Sequence, residues 1–245
     1  MNADARRVLV TGAGGRVAAI VVPLLADRHH LVLTDNDQHR LTPLAHYGEI
    51  LPGDLLSTAD ANRLARAADV IVHLAGNGHQ DATWQQLYDA NVRATVNLLN
   101  AAAPQRCTTF IYVSSVQAVA GYPRSRAPLT AELPPLPSSV YGLTKAFGEM
   151  YLHATAHHFC SAAILRLGAF AGAPANEDIS RVKANPDSLT RTLDAALGWT
   201  GPGVATFNVV SVAGRLVPVD AAGWRAQSSP NGHELQSPRA RPHEV

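Results

Sequence analysis

Cysteine is scarce in this chain: Cys107 and Cys160 are the only two in 245 residues, and neither belongs to a C-x-x-C pair. That pattern offers no disulfide framework and fits partly buried, reduced thiols of a cytoplasmic protein. Charge is also sparse, at 16% of residues, and the net charge is +1. So balanced a chain presents no electrostatic case for nucleic acid or for an anionic membrane. Met1 to Arg7 contains no apolar core of a signal peptide, and no apolar run is long enough to span a bilayer. Internal repeats are absent. The length suits one α/β domain, which buries enough surface to need no metal or disulfide staple.

What is present is alternation. Short runs rich in Val, Ile and Leu recur at Val8–Thr11, Leu31–Thr34, Glu49–Leu51, Val70–Leu74, Phe110–Val113 and Ala163–Leu167. Several lack polar alternation, as strands buried on both faces do. Between them, Val17–Ala26, Ala59–Ala68, Trp84–Ala103 and Val140–His158 carry helical spacing. Ser57 and Asp60 have the spacing of a capping box before the second of these. Strands alternating with helices predict a parallel sheet with right-handed crossovers. After Leu167 the rhythm fails. Gly168 to Asn185 reads as a loop, Pro186 opens a helix through Ser188–Leu197, and Thr206–Val210 is a last strand. Ser228 to Val245 is rich in Pro, Ser, Arg and His, with little to bury, and is expected to be poorly ordered.

The first strand runs into Gly12, Gly14 and Gly15 and then a helix. Such a turn needs positive φ, and a missing Cβ lets backbone approach a pyrophosphate at the helix N-terminus. Gly12, Gly15 and Ala18 fit the three small positions of that cradle. Asp35, at the end of the second strand, stands where a carboxylate accepts from both ribose hydroxyls and repels a 2′-phosphate. The cofactor it favours is NAD, although Arg40 lies close in sequence.

Tyr141 and Lys145 are four apart on one helical face. An ammonium there, together with a nicotinamide cation, draws a phenol pKa toward the working range. His153 and His157 share metal-ligand spacing, but no carboxylate or thiol joins them at a telling distance, so no metal is expected. Trp84, Trp199 and Trp224 read as packing residues.

These motifs together resemble the extended short-chain dehydrogenases/reductases, the NAD-dependent epimerase/dehydratase family. "TGAGGRVA" matches its fingerprint, and "GDL", "VIVHLAG", "NVRATVNLLNAA", "FIYVSS", "YGLTK" and "LRLGAF" follow in order from Val8 to Phe170. The resemblance implies an α/β fold, a Rossmann-type doubly wound parallel sheet with a small C-terminal substrate-binding segment. Residues 1–227 would form a single NAD-binding domain with substrate elements mainly in 168–227, and 228–245 a disordered tail. It implies cofactor contacts from Gly12, Gly14, Gly15, Arg16, Val17, Asp35, Asp54, Leu55, Leu74, Ala75, Gly76, Tyr141 and Lys145. Asp54 and Leu55 would flank the adenine. Catalysis would fall to Ser115 (with Ser114 the neighbouring alternative), Tyr141 and Lys145, supported by Asn91 from its helix. The partner would be a small-molecule substrate, with no nucleic acid and no membrane. The chain would be a homodimer through the helices Trp84–Ala103 and Val140–His158.

Within the family the local pattern is most similar to the uronate dehydrogenases, which also have short chains. "GYP" (Gly121–Pro123) and "DAAGW" (Asp220–Trp224) resemble segments of that group. Val116 and Gln117 stand where it usually has Asn-His, and Gly78 and Ala169 stand where serines are expected. Substrate contacts would come from Ser115, Gln117 and Arg181, the nearest candidate for a carboxylate clamp. The implied activity is hydride transfer from a sugar or uronate-like carbinol to NAD. The alternatives are a nucleotide-sugar epimerase/dehydratase and a non-catalytic NAD-binding sensor.

Overall fold

A computed structural model of the chain describes residues 5–79, 81–105, 109–123, 130–169, 184–201, 203–212 and 215–216. Seven strands form one sheet: β1 (Arg7–Thr11), β2 (His30–Thr34), β3 (Gly48–Ile50), β4 (Val70–His73), β5 (Thr109–Ser115), β6 (Ser161–Leu167) and β7 (Val204–Val209). Their order is β3-β2-β1-β4-β5-β6-β7, and every pairing is parallel. Two further short strands, β8 (Ser211–Val212) and β9 (Arg215–Leu216), pair antiparallel outside this sheet.

The helices between strands are α1 (Ala18–Ala26), α2 (Gln38–Leu41), α3 (Thr58–Ala65), α4 (Trp84–Leu87), α5 (Ala94–Ala102), α6 (Val140–Thr155) and α7 (Pro186–Leu197). They cover both faces. Val8 and Val10 of β1 pack with α1 and α7, while Leu9 packs with α3 and α5, as the two-residue pleat requires. All of β4 and β5 is buried, which explains why those strands read as unbroken apolar runs. The order reverses between β1 and β4. Their C-terminal ends therefore diverge into the crevice where an open parallel sheet takes its ligand.

Several expectations need correction. The Ser57 hydroxyl accepts from the Asp60 N–H at 3.3 Å, but the Asp60 carboxylate turns to the Asp54 N–H at 3.0 Å and to Arg63. A competing amide in the preceding loop thus takes the second arm of the capping box. The long helix Trp84–Ala103 is interrupted by a π-turn over Tyr88–Arg93, which falls at Asn91. Trp84 is 53% exposed rather than packed. Cys160 is exposed; Cys107 lies outside the described residues. Among the described residues Leu87, Val92, Leu98 and Leu99 are buried in the protein's own core and Val96 is half-buried, so the outward apolar stripe is mainly that of α6, through Val140, Leu143, Phe147 and Met150, with Trp84 also exposed. No helix of the described residues is long and apolar enough to cross a membrane.

Candidate active site

β1 ends at Thr11, and Gly12 turns the chain with φ +65°. A Cβ at Gly12 would sit 2.7 Å from the Ala75 Cα, so glycine is required both by φ and by the close approach of the two loops. Helix α1 begins without a side-chain cap, and its amide end opens on a cavity of about 520 Å³. Gly12, Gly15, Arg16 and Val17 line one side of that cavity, and Leu74, Gly76, Asn77 and Gly78 line the floor. Ser115, Gln117, Tyr141 and Lys145 close the far side. Asp35 hydrogen-bonds back to this turn, accepting from the N–H of Gly14 at 3.1 Å and of Asp37 at 3.0 Å. A glycine turn with no room for a Cβ, an uncapped helix start and an adjacent carboxylate together fit a dinucleotide: pyrophosphate on the amides, ribose diol on Asp35.

Gly14, Asp35, Asp54, Leu55, Ala75 and Asn91 do not line the cavity itself. Gly53 N–H donates to the Asp35 carbonyl at 3.3 Å, which holds Asp54 near the cradle on an exposed turn. Leu55 is buried in the core beside α3 and α5. Arg40 pairs with Asp37 at 3.2 Å and packs against Gly14. Arg181 and Lys183, most of the loop from Gly168 to Asn185, the segment Asp220–Trp224 and the tail lie outside the described residues.

The two serines at the end of β5 are separated by the strand's alternation. Ser115 lies near enough to the Tyr141 hydroxyl to pull its pKa down, and it accepts from the Gln117 N–H at 3.2 Å. Ser114 turns away and donates to Glu149 at 2.5 Å. Helix α6 starts at a Ser139 cap, whose hydroxyl accepts from Gly142 N–H and donates to Gln117 Oε1 at 2.7 Å. That bond leaves the Gln117 amide NH₂ as the donor end at the cavity wall.

With no nicotinamide cation beside it, Tyr141 answers mainly to burial. Burial pushes its phenol pKa up, and Ser115 and the Arg16 charge only partly oppose this. Lys145 is buried, donates to the Val113 carbonyl at 3.1 Å and lies 5.2 Å from the Tyr112 ring. Burial lowers its pKa to about 8, with Glu149 pulling the other way. The folded state therefore binds this proton less tightly than the unfolded chain, whose ordinary value is 10.5. Wild-type stability should rise with pH between those two values. Lys145→Met is expected to be the more stable protein below about pH 8. That advantage should fade as pH approaches 10.5, which paired thermal melts across that range would measure.

Behind these residues lies a polar layer that sequence reading missed. Glu149 and Arg166 form a fully buried pair, with Arg166 Nη2 2.8 Å from Glu149 Oε2. Arg166 also donates to the carbonyls of Ala131 and Leu133. The four-residue spacing of Tyr141, Lys145 and Glu149 was the available signal, along with a cation inside an apolar strand. Asn91 is fully buried; its Oδ1 accepts from Asn77 N–H at 2.6 Å, and its Nδ2 donates to the Asn77 carbonyl and to Thr144 Oγ1. Among the described residues no three His, Cys, Asp or Glu side chains could hold a metal ion.

Residues 8–193 match the NAD dependent epimerase/dehydratase family. An L-arabinose 1-dehydrogenase (NAD(P)(+)) of Haloferax volcanii is 31% identical over 158 residues, which is 58% of this chain and 58% of that protein. The chain thus matches less than two thirds of that relative's length. A uronate dehydrogenase of Pseudomonas syringae is 25% identical over 192 residues, covering 78% of this chain and 69% of the relative. Among solved structures, a glucuronic acid dehydrogenase from Chromohalobacter salexigens superposes with TM-score 0.77 at 25% identity, covering 94% of this chain and 91% of that one. A mutant uronate dehydrogenase from Agrobacterium tumefaciens complexed with NAD gives TM-score 0.74 at 25% identity, covering 84% and 77%.

Proposed function

The chain belongs to the NAD dependent epimerase/dehydratase family, and from that premise we propose that it is an NAD-dependent sugar dehydrogenase that oxidises a carbinol of a uronate-like or neutral sugar. The single observation that carries this reading is one cavity lined by the glycine turn at one end and by Ser115, Tyr141 and Lys145 at the other. NAD, when bound, supplies the hydride acceptor.

The chain's own residues do the rest. Gly12, Gly14, Gly15, Arg16 and Val17 hold the pyrophosphate, and Leu74, Ala75 and Gly76 back the cofactor. Asp35 accepts from the ribose diol. Ser115 donates to the substrate oxygen and orients it toward Tyr141, which must first lose its own proton to solvent and then, as the phenolate, takes the carbinol proton. Lys145, drawn from the Val113 carbonyl to the nicotinamide ribose, places a positive charge beside the phenolate as it forms. Asn91 holds Asn77 and Thr144 and so steadies both walls. Gln117, its carbonyl oxygen fixed by Ser139, presents its NH₂ to a sugar oxygen or carboxylate, and Arg181 is proposed as the carboxylate clamp. A carboxylate at position 35 repels a 2′-phosphate, so NAD should bind about tenfold or more tighter than NADP, a gap that Asp35→Ala should narrow. Isothermal titration of both cofactors measures it; equal affinity would remove Asp35 from the ribose.

The deciding assay is reduction of NAD with a panel of free uronates, neutral sugars and nucleotide sugars. Net reduction with a free sugar supports the proposal. Interconversion of nucleotide sugars without net reduction would make it an epimerase, and silence across the panel would overturn it. The exposed stripe Val140, Leu143, Phe147 and Met150 of α6, next to Trp84, supports a homodimer paired through this helix. Light scattering at micromolar concentration should give twice the chain mass, and a monomer would refute the pairing.

A further inference from the structure

His73 closes β4 and is fully buried, outside the cavity lining. In the β1–β4 ladder its register partner is Thr11, the residue before the Gly12 turn. Its Nδ1 lies 2.8 Å from Thr11 Oγ1, and its Nε2 lies 3.0 Å from Thr95 Oγ1. Directions follow from counting protons. The Thr95 hydroxyl has a single proton and gives it to the Asn91 carbonyl at 2.7 Å. Toward His73 it can therefore only accept, so Nε2 carries a proton. Burial, with the Lys145 charge adding to it, lowers the ring pKa to about 3, so the ring is neutral and Nδ1 holds a lone pair. Thr11 must then donate to Nδ1, and its oxygen accepts from the Ala75 N–H at 3.2 Å. One consistent direction runs from Ala75 through Thr11, His73 and Thr95 to Asn91.

The two ends of this chain are different parts of the site. Ala75 is the backbone against which Gly12 packs. Asn91 sits in the π-turn and holds Thr144, which in turn donates to the Tyr141 carbonyl at 2.8 Å. We propose that His73, as the neutral Nε2–H tautomer, is a positioning residue with divided duties: Nδ1 fixes the glycine turn that cradles the cofactor, and Nε2 fixes the Asn91 junction behind Tyr141. The division between cofactor and catalysis rests on the dehydrogenase reading; the tautomer does not.

Two measurements test it on the full chain. Imidazole ¹⁵N NMR of the cofactor-free protein should show a neutral ring protonated at Nε2 from about pH 5 to 8. An Nδ1–H tautomer or an imidazolium in that range overturns the proposal, whatever the protein's activity. The second measurement uses amides that each mimic one nitrogen. In His73→Asn the side-chain oxygen reaches the Nδ1 position and nothing reaches Thr95. In His73→Gln the NH₂ reaches the Nε2 position and Thr11 loses its acceptor. His73→Asn should keep NAD affinity within about twofold and lower kcat by roughly five- to tenfold. His73→Gln should weaken NAD by roughly five- to tenfold and largely keep kcat. Equal losses in both parameters for both variants, in proteins with wild-type circular dichroism, would reduce His73 to a packing residue and overturn the division. If the variants do not fold, the NMR result on the wild type decides. If the wild type binds no NAD, the dehydrogenase reading falls and the tautomer result still stands on its own.

Discussion

Tyr141→Phe is expected to lower turnover by about 10²–10⁴-fold, the range supplied by one positioned proton acceptor, while NAD affinity stays within a few-fold. The substitution removes one oxygen from a half-buried ring and leaves the ring's packing intact. Ser115 and the charge of Arg16 both act on that oxygen and favour its ionised form. In the cofactor-free protein, burial raises the phenol pKa, so Tyr141 starts as a weak base that awaits positive charge brought close to it. Lys145 is held in reserve on the Val113 carbonyl, buried but with its pKa near 8. Lys145→Ala should therefore damage both cofactor affinity and turnover, unlike the tyrosine variant. Steady-state kinetics together with isothermal titration separate the two effects. A phenylalanine variant with near-normal turnover would remove Tyr141 from the chemistry.

Glu149→Met or Arg166→Met alone is expected to destabilise the protein by about 3–5 kcal/mol, since each strands a buried charge. The two carboxylate oxygens receive three contacts from Arg166 between 2.8 and 3.2 Å, and one also accepts from Ser114. The Arg166 guanidinium additionally secures the carbonyls of Ala131 and Leu133, at 3.2 and 2.9 Å. That segment leads to the Ser139 cap of α6, so its release should reach the site as well as the core. Replacing both residues by methionine removes both charges together. The double variant should then cost far less than the sum of the single ones. Denaturant melts of the four proteins measure this directly, and strict additivity would deny the coupling.

Much of this molecule was readable from its sequence because the determining forces are local. Runs of Val, Ile and Leu specify buried strands, and helical spacing specifies the crossovers. A glycine after the first strand supplies the positive φ of the tight turn into α1. Those facts suffice for the sheet, its parallel sense and the cradle at its centre. Tertiary structure decided what local patterns leave open. Ser114 and Ser115 are indistinguishable neighbours until the pleat turns one to Glu149 and the other to Tyr141. Asp54 and Leu55 are adjacent, yet one is exposed near the cradle and the other is sealed in the core. The Asp60 carboxylate had two amides within reach, and loop geometry chose Asp54 over the cap. His73 lies 62 residues from Thr11 and 22 from Thr95, so nothing in its own segment announced that both would bond it. The same holds for Arg166, 17 residues beyond Glu149 and joined to it only when β6 lies against β5 beneath α6. The physical reason is range. Backbone conformation answers to neighbours within a few residues, but a buried polar side chain must find its partner wherever the folded chain brings one, because leaving it unpaired costs more than almost any local preference.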